Sequence, residues 1–172
     1  MEGKDLKQLI RLAESGDARA QFRLAFLHIK GSGVAKSTAK AVHWYQRAAD
    51  QGLSAAQYNL ADMYLRGAGV EQSFTLARDW FMKAAEQGDV DAQFNLGLLY
   101  LQGKGVNQSD REAYSWFLKA AEKGSARAMY DVGTLLAAGR GAEKDESKAR
   151  EWLQKAAAFG IPRASDMLEE LD

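Results

Sequence analysis

Residues 88–124 read GDVDAQFNLGLLYLQGKGVNQSDREAYSWFLKAAEKG, and the two glycines that bound this stretch belong to a series. Gly16, Gly52, Gly88, Gly124 and Gly160 are stepped by 36 residues each time, with no insertion or deletion. All four tryptophans, Trp44, Trp80, Trp116 and Trp152, keep that step, as do the pairs Ala48-Ala49, Ala84-Ala85, Ala120-Ala121 and Ala156-Ala157. So do the Gly-x-Gly pairs Gly31/Gly33, Gly67/Gly69, Gly103/Gly105 and Gly139/Gly141, which puts 13 of the 16 glycines in register. A fixed period of roughly 20–50 residues marks a stacked array whose units cannot bury an apolar face alone. No domain boundary is expected inside it.

Each unit predicts two helices. The first runs from about Ala18 to Lys30, with Ala20, Leu24, Leu27 and His28 on one stripe and Phe22, Phe26 and Ile29 on another. A two-residue offset is about 200° on a helix, so the stripes should point in nearly opposite directions, out of reach of a single partner helix. The second helix begins after an N-cap residue, Ser37, Ser73, Ser109 or Asp145, and ends before the next repeat glycine, which supplies the left-handed backbone of a helix stop. Pro162 falls at the first position of a last helix. The Gly-x-Gly loops follow helices and recur four times, so they read as turns; a phosphate cradle would follow a strand and carry Lys-Ser or Lys-Thr after its glycine.

Composition narrows the function. The 172 residues carry 23 Lys+Arg against 23 Asp+Glu, and a zero net charge gives none of the positive field that nucleic-acid binding needs. With no cysteine there is no disulfide frame and no thiolate chemistry. No apolar run approaches the ~18 residues of a membrane span. From Met1 to Ser15, charges interrupt the leucines, unlike a signal peptide. The expected location is cytoplasmic, a periplasmic protein with its signal removed being the other reading.

The strings Ala92–Tyr100, Gly103–Val106 and Ser115–Gly124 resemble the Sel1-like repeat, a relative of the tetratricopeptide repeat. That resemblance implies an all-α, right-handed solenoid of about ten helices over a single domain, residues 1–172. Its parts would be an N-terminal capping helix (1–15), four repeats (16–51, 52–87, 88–123, 124–159) and a C-terminal capping helix (160–172). Ser stands in three repeats where the family usually has Asp, and still caps. The absence of cysteine pairs argues against the family's secreted, disulfide-linked branch. Gln8 replaces the expected Trp in the first cap, while Ala164, Leu168 and Leu171 keep a core stripe in the last one beside acidic Asp166, Glu169, Glu170 and Asp172.

By analogy with tetratricopeptide arrays, the second stripe lines a concave wall. The candidate partner-binding residues are the column Phe22, Tyr58, Phe94 and Tyr130 with its neighbours Phe26, Asp62, Leu98 and Thr134, flanked by Arg66 and Gln102. Further polar groups at the rim are Arg19, Lys30, Asp91 and Arg127, and their mixed sign predicts an amphipathic partner segment. The alternative is that the rings pack between repeats. The tryptophans read as core filler, His28 as a core histidine and His43 as surface. No His-x-x-x-His or carboxylate–histidine cluster offers a metal set. Ser37-Thr38-Ala39-Lys40 matches the Ser-x-x-Lys of penicillin-recognising enzymes, yet Ser37 is the repeat's cap and the companion motifs are absent. The expectation is a non-enzymatic adaptor for a protein or peptide partner, without cofactor, metal or nucleic acid. A small inhibitor or immunity-type protein blocking a toxin or enzyme is the alternative, and a β-lactamase-type hydrolase the least favoured. A monomer is expected, a small oligomer being the other outcome.

Overall fold

The computed structural model describes residues 3–171. Asp172, the last of the expected acidic residues, and Met1, the first of the stretch read for a signal peptide, lie outside the described residues. Among those described there are ten α-helices and no strand: α1 (Gly3–Glu14), α2 (Ala18–Lys30), α3 (Thr38–Asp50), α4 (Ser54–Arg66), α5 (Phe74–Glu86), α6 (Val90–Gln102), α7 (Asp110–Glu122), α8 (Ala126–Ala138), α9 (Glu146–Ala158) and α10 (Pro162–Glu169).

The helix starts follow the expected chemistry. Ser37, Ser73, Ser109 and Asp145 each accept a hydrogen bond from the backbone N–H three residues on, which satisfies one of the donors a helix leaves open at its start. Gly31, Gly67 and Gly139 end α2, α4 and α8 in the left-handed region, with φ of 70°, 67° and 65°. Pro162 opens α10.

The helices gather into two compact units, Met1–Asp89 with α1–α5 and Val90–Asp172 with α6–α10. In the first unit α2 pairs with α3 and α4 with α5, while α1 packs on α2 and α3 on α4. In the second, α6 pairs with α7 and α8 with α9, with α7 against α8 and α10 against α9. The repeated alanines, Ala48, Ala49, Ala84 and Ala85 in one unit and Ala113, Ala120, Ala121 and Ala149 in the other, are buried and let helix backbones approach. Leu60 and Phe81 are fully enclosed in the first unit, and Phe117, Val132 and Leu153 in the second. Gly97 and Gly133, also 36 residues apart but inside helices, are packing residues: a Cβ would lie 2.4 Å from the Phe117 ring and 2.7 Å from Leu153 respectively.

The second glycine of the hairpin loop does more than turn the chain. A Cβ on Gly69 would sit 2.5 Å from the carbonyl carbon of Thr38, and one on Gly141 would sit 2.1 Å from the carbonyl oxygen of Asp110. The loop of one repeat thus rests on the start of the second helix of the repeat before it.

A buried glutamine relay also joins repeats. Gln21 donates to the Ala13 carbonyl at 3.0 Å and accepts from Gln51 at 2.8 Å. Gln57 donates to Ala49 at 3.2 Å and accepts from Gln87 at 2.7 Å. Each relay fastens the C-terminal ends of two successive second helices, where carbonyls lack intrahelical partners. In the fourth repeat the corresponding positions are Met129, buried, and Phe159, exposed.

Candidate partner-binding face

In the first unit, α2 and α4 set the expected side chains on one surface, but the two stripes are not independent. The Phe22 ring lies 5.5 Å from Tyr45 and the Tyr58 ring 5.6 Å from Phe81, so each half-buried ring leans on the second helix of its own hairpin. The expectation that one partner helix cannot reach both stripes is corrected by these contacts: a large ring at the flank of a helix reaches across to its neighbour. Burial pushes the Tyr45 hydroxyl up to about 12, which keeps it protonated.

One turn further along α2, Phe26 is 46% exposed, with the Lys30 ammonium 5.6 Å from its ring centre. Phe26, Ile29 and Lys30 of α2, Tyr45 of α3, and Asn59, Asp62 and Met63 of α4 line a cavity of about 420 Å³. Asp62 is held at 2.8 Å by Arg66, four residues on. The structure therefore brings Phe26 and Asp62 together, with Arg66 as Asp62's partner and Phe22 and Tyr58 as packed supports. An exposed aromatic flanked by both charge signs can take an apolar side chain and orient the polar groups beside it.

In the second unit the same positions behave differently. Phe94 is 6% exposed, its ring held between Phe117 at 5.5 Å and the Arg127 guanidinium at 4.5 Å, and that guanidinium also bonds Asp91 at 3.0 Å. Phe94 is a core ring, which corrects its reading as a contact residue. Leu98 and Tyr130 are half-buried against the same core, and Gln102 is exposed. Thr134 donates its hydroxyl to the Asp131 carbonyl at 2.9 Å.

Asp131 was not singled out by the sequence. Its carboxyl is pushed up to about 6 by burial, against the opposing pull of Arg127. The other repeats place Arg23, Asn59 and Asn95 at this position. Asn59 and Asn95 donate their carboxamides to the Ala55 and Asp91 carbonyls at 2.7 and 2.8 Å, which an ionised carboxylate cannot do.

The tryptophans are core on one side and covered by a cation on the other. Lys83 lies 3.8 Å from the Trp80 ring, Lys119 3.7 Å from Trp116 and Lys155 4.3 Å from Trp152, with Arg47 at 5.2 Å from Trp44. The signal was present as a basic residue three after every tryptophan. Ser37 accepts from the Lys40 N–H at 3.2 Å, so the Ser-x-x-Lys sequence is a helix cap here. His28 is buried, its Nδ1 3.0 Å from the Ala35 carbonyl, and His43 is exposed. Among the described residues, no three metal-ligating side chains come together and no helix is long and apolar enough to cross a membrane.

Paired helices on a 36-residue step, with capped starts and glycine stops, define an α-helical repeat protein. The Sel1 repeat family model matches residues 18–53, 54–89, 90–125 and 126–158, and the chain belongs to that family. Its all-α fold matches Sel1-repeat solenoid structures. One is a protective antigen present in uropathogenic Escherichia coli strains, displaying an SLR fold: it is 39% identical over 95% of this chain, with a TM-score of 0.91. Another, a Sel1 repeat protein from Oxalobacter formigenes, is 38% identical over the whole chain, with a TM-score of 0.89. This chain spans 35% and 50% of the lengths of those two. An immunity protein from Pseudomonas aeruginosa is 25% identical, with a TM-score of 0.55, over 98% of this chain and 70% of its own. Comparison with curated protein sequences finds no relative. Sel1-repeat proteins are typically protein-interaction scaffolds, and the family is generally non-enzymatic.

Proposed function

We propose that this protein is a non-enzymatic interaction module whose first unit holds a segment of a partner protein between α2 and α4. The observation that carries this reading is Phe26, 46% exposed beside a cavity that also presents Lys30 and Asp62. Large exposed aromatics on preformed helices anchor partners at small ordering cost. Opposite charges on the two sides of that cavity favour an amphipathic segment docked in one direction.

The test is affinity capture from the native host with the wild-type protein, Phe26→Ala and Asp62→Lys. A stoichiometric partner recovered by the wild type should be lost from both variants while their melting temperatures stay within about 2 °C of the wild type, since both changes are at the surface. Recovery of the same partner by all three would sink the site.

A second reading is supported by the Pseudomonas immunity protein's likeness to this chain. In that reading the partner is a toxin or enzyme, and one equivalent of this protein suppresses its activity. An adaptor instead leaves the activity of the captured partner intact and bridges it to a further protein.

A further inference from the structure

The first repeat carries a cavity whose counterpart in the fourth, beside Leu136, Ala142, Glu143 and Lys148, is smaller, at about 370 Å³, and more polar. Ile10 of α1, Leu24 and His28 of α2, Lys40 and Trp44 of α3 and the loop residue Val34 surround a cavity of about 510 Å³, within the size range of small-molecule sites. Its walls are mainly apolar, and His43 also borders it, so both histidines of the protein meet there.

The opening has a cause in the sequence. His28 occupies the position of Tyr64 and Tyr100 in the next two repeats, so a ring of phenol length is missing. Trp44 is correspondingly half-buried, whereas Trp80 and Trp116 are 8% exposed. Charge changes in the same place. The positions of Ala35, Lys40 and His43 hold Glu71, Leu76 and Asp79 in the second repeat, Asn107, Glu112 and Ser115 in the third, and Glu143, Lys148 and Glu151 in the fourth. Every other repeat has at least one carboxylate there; the first has none, and presents an ammonium and two imidazoles.

A backbone carbonyl can only accept, so His28 must donate from Nδ1 to Ala35. In the neutral ring Nε2 is then the acceptor left for the cavity. We propose that the first repeat binds a phenolic carboxylate: a hydroxyphenyl ring against Trp44, Leu24 and Ile10, its hydroxyl donating to His28 Nε2 and its carboxylate between Lys40 and His43. The ligand supplies in trans the ring that Tyr64 and Tyr100 supply in cis. This site is separate from the face of α2 and α4 and does not depend on it.

The probe is 3-(4-hydroxyphenyl)propionate, followed by calorimetry and by the indole N–H resonance of Trp44 in the full-length protein. Binding should weaken at least threefold for 3-phenylpropionate, which lacks the hydroxyl, and at least tenfold for the uncharged amide. His28→Tyr restores the residue of the neighbouring repeats and should abolish binding without lowering the melting temperature. Should that variant misfold, Lys40→Glu with His43→Asp changes exposed positions only and should weaken the acid at least tenfold. A short peptide ending in tyrosine distinguishes the source: tighter binding than the free acid assigns the site to the carboxyl end of a polypeptide, and weaker binding to a free small molecule. No resonance shift at millimolar probe overturns the proposal, as does equal binding by wild type and both variants.

Discussion

Asp131→Asn should stabilise the protein at neutral pH and do nothing at acid pH. In the folded state this carboxyl titrates at about 6, against the ordinary value of 3.8 expected for the unfolded protein. The folded protein therefore holds the proton more tightly than the unfolded one does. Stability from this group is complete below pH ~4 and is lost as pH rises through about 6. At about 1.36 kcal/mol per unit, the gap has a ceiling of roughly 3 kcal/mol. Partial exposure of the side chain reduces this to about 1–2 kcal/mol. Asparagine carries no charge to bury, and Asn59 and Asn95 show the bond it would make, to the carbonyl four residues earlier. For a protein of this size the gain is about 3–6 °C in Tm at pH 8. At pH 3.5 the wild-type carboxyl is protonated in the folded protein and mostly so in the unfolded one, and it can donate the same bond, so the two proteins should melt within about 1 °C of each other. Paired thermal melts at the two pH values measure the difference directly, because every other carboxylate is common to both proteins. An equal Tm difference at both pH values, or none at either, would refute the reasoning.

Gly141→Ala should cost about 3 kcal/mol or more, since the position combines φ of +76° with a Cβ 2.1 Å from the Asp110 carbonyl oxygen; denaturant melts monitored in the second unit check this. Phe94→Ala should cost about 3–4 kcal/mol as a core deletion, whereas Phe26→Ala should cost under about 0.5 kcal/mol and act on partner capture instead. A reversed order of the two would mean that the exposed and buried aromatics have been assigned the wrong way round. Gln57→Leu should cost about 1–3 kcal/mol, because it removes the donor to Ala49 and the acceptor for Gln87 together, and hydrogen exchange at the end of α3 should accelerate.

The fold could be read closely from the sequence because a repeat states its grammar several times. Ser37, Ser73 and Ser109 in equivalent places are read as caps with a certainty that one serine never gives. The candidate face was only partly legible. Periodicity puts Phe22, Phe26, Tyr58 and Phe94 on related stripes, but it does not measure how far a ring bends back to its hairpin partner. Phe94 is enclosed by Arg127, and the equivalent neighbour of Phe22 is the short Ala55, so the difference lies in the following repeat. Asp131 was missed for a related reason. A carboxylate reads as surface until the packing around it is known, although Asn59 and Asn95 at the same position were a visible hint. The glutamine relay escaped notice because Gln21 and Gln57 look like ordinary polar residues in helices, and only their burial and their bonds show that they tie carbonyls together.

The contacts made by Gly69 and Gly141 also bear on how such a protein changes over generations. Where a loop touches the backbone of the preceding repeat, with no side chain between them, a single added residue has nowhere to go. Lengthening by one would force the loop off its seat or open the joint beneath it. Whole-module duplication or deletion preserves every one of these seats. The uninterrupted 36-residue step is then the signature of a joint that admits only integer changes, leaving exposed side chains such as Phe26 as the part free to diverge.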